Sequence, residues 1–180
     1  MTSILKVDTI QGANGSDIPY IKDHVLQVKS VASSAITTIG TDDTRTDIVG
    51  LSVAITPKST SSKILVQVHI SYGSSNNNTY GSAYIMRNST DIAIGTTATG
   101  VQQNVSLPLP SSGMTNEDYK LKNSSMAFLD EPQTTSAITY KVQARCDLLT
   151  TLYINRTGRD NNSDYVSRGI STLTVTEIGG

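Results

Sequence analysis

Alternation with period two runs through the chain and predicts β-strands wherever it persists. Ile64, Val66, Val68, Ile70 and Tyr72 share one side of an extended segment, and Leu65, Gln67, His69 and Ser71 share the other. Val49, Leu51, Val53 and Ile55 alternate with Gly50, Ser52 and Ala54 until Pro57 stops the strand, and 59–62 makes the turn. Ile138, Tyr140, Val142, Ala144 and Cys146 alternate with Thr139, Lys141, Gln143 and Arg145. The closing strand, 171–178, turns Leu173 and Val175 inward and Thr172, Thr174 and Thr176 outward; Ile170 and Ile178 fall out of phase, which predicts a bulge or an end effect there. Shorter strands are expected at 24–31, 125–129 and 148–155. A hairpin joins 80–87 to 92–95 around Asn88-Ser89-Thr90-Asp91. Val101, Val105, Leu107 and Leu109 suggest a further strand broken by Pro108 and Pro110.

No window of ten residues carries helical periodicity, and no internal repeat points to a propeller or solenoid. Eight to ten short strands separated by turn clusters predict an all-β fold, an antiparallel β-sandwich of jelly-roll type, over 23–180. Residues 1–22 stand apart. Ile4, Leu5, Val7 and Ile10 make a short apolar extended segment ahead of a turn-rich stretch. A lone strand of this length is not stable without a partner, so the segment is expected to be an attachment arm.

Composition agrees. About a quarter of the 180 residues are Ser or Thr, and charged residues make up 16%. Thr suits a pleated, half-buried surface and Ser suits turns. The net charge is −1 with no basic stripe, so the electrostatic footprint of a nucleic-acid binder is missing. Apolar runs are too short for a membrane-spanning helix, and the first residues do not read as a secretory signal.

Catalytic and metal-binding raw material is thin. His24 and His69 stand in no metal-ligand spacing, and the single cysteine, Cys146, shares the apolar side of its strand. Asp160-Asn161-Asn162-Ser163-Asp164 spaces its oxygens like the start of a calcium loop, but Tyr165 stands where the sharp turn needs Gly and Ser171 where the bidentate Glu belongs. No catalytic residue, cofactor or metal site is expected. Tyrosine is the aromatic of choice: eight Tyr against one Phe and no Trp. Three loops each join a Tyr to Ser- and Asn-rich backbone: 74–80 with Tyr80, 111–119 with Tyr119, and 160–165 with Tyr165. Such loops combine hydrogen bonding with a rigid stacking face suited to a sugar, and the three tyrosines are the candidate contacts to a host surface.

Four stretches resemble a known family. They are Ser3-Ile4-Leu5-Lys6-Val7-Asp8-Thr9-Ile10-Gln11, Val25-Leu26-Gln27-Val28, Gly50 to Pro57 followed by Ser61 to Val66, and Leu173-Thr174-Val175-Thr176-Glu177-Ile178. Together they are similar to tail-fibre and virion structural proteins of phages, marine ones especially. The resemblance implies a non-enzymatic virion protein that assembles as a homotrimer with other tail or capsid proteins. It carries over no functional residue. A short tail fibre or fibre tip that touches a host glycan or protein is the first expectation. A capsid decoration protein held by the arm is the alternative. Neither needs nucleic acid or membrane insertion.

Overall fold

The computed structural model describes residues 23–40, 43–111, 115–147 and 150–180. The expected arm, with Ile4, Leu5, Val7 and Ile10, lies outside the described residues, as do 112–114 and 148–149.

Eleven strands form among the described residues: β1 (Val25–Ser33), β2 (Thr37–Ile39), β3 (Thr46–Ile55), β4 (Lys63–Ser74), β5 (Tyr80–Arg87), β6 (Thr90–Ile92), β7 (Leu107–Pro110), β8 (Lys122–Asp130), β9 (Ile138–Arg145), β10 (Leu152–Ile154) and β11 (Ser171–Ile178). All pair antiparallel, in two sheets that pack into a sandwich, as the alternation predicts. The first sheet runs β1-β11-β4-β8, and β10 and β2 continue it beyond the end of β11. The second runs β3-β9-β5, and β5 carries β6 and β7 along its remaining edge. The main pairings are nested. β1 meets β11, β3 meets β9, β4 meets β8 and β5 meets β7, so the outermost strands in sequence pair first and the innermost last.

The apolar sides of both sheets meet in one core. Ile64, Val66, Val68 and Ile70 of β4 face Leu51, Val53, Ile55, Tyr140 and Val142, all buried. Burial of this apolar surface is the main stabilising term.

Four expectations are corrected or refined. In β3 the expected inward Val49 is exposed, and Ile48 is buried in its place. The cause is a register shift against β9 between Asp47 and Ser52, where Gly50 takes φ 80° and lies so close to Ser33 that a Cβ would meet its hydroxyl at 2.7 Å. At Ile178 the expected irregularity is present but falls on the partner strand: β1 slips register between Val25 and Gln27 opposite Ile178 and Glu177, while β11 itself is unbroken. It pairs β4 without interruption from Thr172 to Ile178, and Ile170 and Ile178 lie on the outward side with the threonines. The inward position beside Ile178 belongs to Glu177, fully buried, whose carboxylate accepts from Gln27 Nε2 at 2.6 Å and from the Lys58 backbone N–H at 2.6 Å. Third, Val101 is 95% exposed and no strand forms before Leu107. Pro108 and Pro110 restrict that strand to four residues at the sheet edge. Fourth, the hairpin turns on Asn88-Ser89 alone, with Asn88 at φ 55°, so Thr90 and Asp91 already belong to β6.

The two outward faces differ in chemistry. On the second sheet, Lys141 and Gln143 bind the Asp47 carboxylate at 2.9 and 2.7 Å, and Gln143 foremost, then Lys141, holds that carboxyl below its usual range. Arg45 pairs with Asp91 at 2.7 Å and lies 3.6 Å over the Tyr84 ring, which is fully covered. On the first sheet the outward rows across the four strands read Val28-Thr176-Leu65-Leu129 and Ser30-Thr174-Gln67-Ala127, without a formal charge.

Candidate functional site

Three loops meet at the end of the sandwich where β4 finishes. The β4–β5 loop and the loop after β7 are stitched by the Ser111 N–H on Thr79 O at 2.9 Å and the Thr79 N–H on Ser111 Oγ at 2.6 Å. The β7–β8 connection then forms a 3-10 turn, Glu117–Tyr119, entered through Asn116 at φ 63°. Asn tolerates this left-handed conformation better than most residues, which explains a turn that no helical periodicity announces. The β10–β11 loop reaches across to it. The Arg159 N–H donates to Asp118 O at 2.8 Å, and Arg159 Nε donates to Asp118 Oδ2 at 2.5 Å. The crossing is close enough that a Cβ on Gly158 would collide with Ser74 O, so only Gly fits there.

Under the turn lies a buried charge. Glu117 is fully buried and bound by Lys120 at 2.9 Å and by Lys122. Two ammonium partners offset the desolvation of one carboxylate. Neighbouring Tyr72 donates its hydroxyl to Pro110 O at 3.1 Å; burial, and then the Glu117 charge, push its phenol up to about 12. The base of the loop cluster is therefore a fixed polar network.

Above that base sit the tyrosines. Tyr119 and Tyr165 meet edge to face, with ring centroids 6.2 Å apart and planes at 86°. Arg159 stacks on the Tyr119 ring, its guanidinium carbon 4.4 Å from the centroid, and ties that ring to the β10–β11 loop. A cleft lined by Asn116, Tyr119, Lys120 and Tyr165 opens here. A second cleft, lined by Asn76, Asn77, Asn78, Thr115 and Asp118 among others, shares Asn116 with it. The pair of clefts presents an aromatic wall beside a row of amides, hydroxyls and one carboxylate. That combination can stack on an apolar ring face while exchanging hydrogen bonds with its hydroxyls.

Of the three candidate tyrosines, the structure brings Tyr119 and Tyr165 into contact. Tyr80, 70% exposed, opens β5 opposite Pro110 and joins the cluster only through the backbone bonds of Thr79. Asn116 falls in the singled-out loop 111–119, while Lys120 and Arg159 belong to the site without having been singled out from the sequence. For Lys120 the signal was the dense charged run Glu117-Asp118-Tyr119-Lys120 inside an otherwise neutral loop; for Arg159, in another connection, no local signal exists.

The other singled-out groups lie elsewhere. His69 is on the outward face of the first sheet, beside Thr172 and Ser125. Cys146 is fully buried, its Sγ 3.1 Å from Thr150 Oγ1, and burial pushes its thiol up. Asp160 pairs with Arg168. Among the described residues no group of three or more His, Cys, Asp or Glu is placed to hold a metal ion.

No family model matches the chain, and no curated protein matches it. Among the solved structures that match is a chain in the structure of infectious bursal disease virus, Gx strain, at 11% identity and a TM-score of 0.44. The match covers 99% of this chain and 46% of that one, so the chain spans about half the length of this neighbour.

Proposed function

We propose that the chain is a non-enzymatic structural component of a phage virion, acting as a trimeric short tail fibre or fibre tip that touches the host surface. The observation that carries host contact is the loop cluster, where the paired Tyr119 and Tyr165 rings stand beside the Asn76–Asn78 amides at one end of the sandwich. The occupant that suits it is a surface glycan. Membership of a virion is supported by the sequence resemblance. It is also supported by the nested pairing of β1 with β11, β3 with β9, β4 with β8 and β5 with β7, the order in which a jelly roll is wound. Jelly rolls recur in viral capsid and lectin domains, a support by fold analogy alone. Binding without turnover fits the chemistry of the site: Glu117, the buried carboxyl under the loops, is tied up by ion pairs with Lys120 and Lys122, and the only cysteine, Cys146, lies buried away from the clefts. The arm, 1–22, joins the protein to the particle. In the second reading the same arm fixes a capsid decoration protein, and the loops are merely solvated.

An adsorption assay tests this reading. Host cells preincubated with purified protein are expected to take up fewer phage particles, and washing the protein away is expected to restore adsorption. Unchanged adsorption favours the decoration reading. Loss that persists after washing shows that the receptor has been cleaved, and an enzyme replaces the adhesin.

A further inference from the structure

The outward face of the first sheet and the edge of β8 lack the devices that keep other surfaces of this protein apart from neighbours. Exposed strand edges invite pairing, and proteins blunt them with charge, proline, bulges or short length. β1 carries Lys29 at its middle and a register irregularity between Val25 and Gln27. β2 and β6 are three residues long, β7 holds two prolines, and β3 is broken at Gly50. β8 has none of these. It pairs β4 in unbroken register from Lys122 to Asp130, and its interior, Asn123 to Leu129, contains no charge, proline or glycine. Its inward Met126 and Phe128 are only partly buried, so the core thins out towards this edge.

The face continuous with that edge is equally unguarded. Its outward rows hold hydroxyl, amide and aliphatic side chains together with His69, which lies between Thr172 and Ser125, and Val28 is 55% exposed and Leu129 44% exposed. The charges begin at its end, where Lys63 pairs with Glu131 at 3.0 Å. The second sheet, in contrast, wears ion pairs over its outward face. Charge is therefore distributed unequally in a chain whose net charge is only −1. Depletion of charge is the compositional mark of an interface core.

We infer that this face and the β8 edge are the surfaces through which copies of the chain meet, the β8 edge of one copy lying against the uncharged face of the next. The inference rests on the trimeric reading above. A second copy is the occupant because the two patches match each other: the outward rows of the face and the interior of β8 both lack Asp, Glu, Lys and Arg, so neither offers a strongly charged partner a salt bridge. The two patches are unlike, and contacts between unlike patches run head to tail, the arrangement that makes a ring when the rotation closes. Size agrees. Four strands ~4.8 Å apart and nine paired residues at ~3.3 Å each give a patch on the order of 600 Å² in projection. That compares with the ~800 Å² of accessible surface each partner contributes to a standard interface.

Sedimentation velocity of the full chain tests this, with Thr174→Glu at the centre of the face, Ala127→Glu on β8, and Ala54→Glu on the second sheet as control. The wild type and Ala54→Glu are expected to sediment as trimers. Thr174→Glu and Ala127→Glu are expected to sediment as monomers with an unchanged far-ultraviolet circular dichroism spectrum. A monomeric wild type overturns the trimeric reading itself. A trimeric wild type whose Thr174→Glu and Ala127→Glu forms also remain trimers overturns the assignment of the face alone, as does a control that dissociates with them. Should a glutamate variant fail to fold, thiol labelling decides. The thiol of Thr174→Cys is expected to react with iodoacetamide at least tenfold more slowly than that of Ala54→Cys, against the low background of buried Cys146. Equal rates contradict the inference.

Discussion

Asp130→Ala is expected to cost about 3 kcal/mol of stability, lowering the melting temperature by roughly 10 °C in a chain of this length. Asp130 closes β8 in the first sheet, yet its partners come from the second. Arg87 Nη1 binds both carboxylate oxygens, at 2.8 and 2.9 Å, and the Tyr140 hydroxyl donates to Oδ2 at 2.6 Å. Arg87 and Tyr140 sit opposite each other in the β5–β9 ladder, so one carboxylate fastens two neighbouring strands of the facing sheet. Tyr140 is fully buried, and burial foremost, then its bond to Asp130, pushes its phenol upward. Removing the carboxylate strands a buried hydroxyl and a partly buried guanidinium, and an unpaired buried polar group costs more than the bond it once made contributed. Asp130→Asn keeps an acceptor for Tyr140 and gives up the ion pair, so about half the loss is expected. Thermal unfolding followed by circular dichroism measures both; a drop below ~3 °C for Asp130→Ala sinks the account of this network.

The double variant Tyr119→Ala with Tyr165→Ala is expected to lose host-cell binding by at least thirtyfold while melting within a few degrees of wild type. Aromatic anchors at binding sites commonly contribute ~2 kcal/mol or more, and in the proposed trimer attachment at three sites would multiply any loss per site. Stability is spared because Tyr165 is 69% exposed and Tyr119 only partly buried. The buried base of the loops, Glu117 with Lys120 and Lys122, is left intact. Tyr80→Ala is expected to have the smaller effect, since Tyr80 stands apart from the ring pair. Flow cytometry of labelled protein on host cells reads the outcome. Binding unaltered by the double variant removes the loop cluster from host contact.

The sandwich was legible because its long strands are regular. Ile64 to Tyr72 alternates without a break, and so does Ile138 to Ala144; a pattern of period two needs no tertiary knowledge to be read. What was missed lies where backbone geometry overrides pattern. Gly50 hides a bulge that exchanges Val49 for Ile48, and an apolar count cannot distinguish the two. Glu177 interrupts an apolar face, and its partners, Gln27 and the Lys58 N–H, come from distant parts of the chain. Three-residue strands such as Thr37–Ile39 are too short to carry any periodicity. At the site, composition pointed to three loops and their tyrosines, but the meeting of Tyr119 with Tyr165 depends on the crossing of two connections at Gly158, which no local signal encodes.

The central claim, that this chain is part of a virion and stands at the host-facing end of its tail, is tested most directly by gold-labelled antibody on purified particles of a phage carrying this sequence, viewed by electron microscopy. Label at the tail extremity is the predicted result. Label spread over the capsid contradicts the fibre reading, and particles without label contradict virion membership altogether.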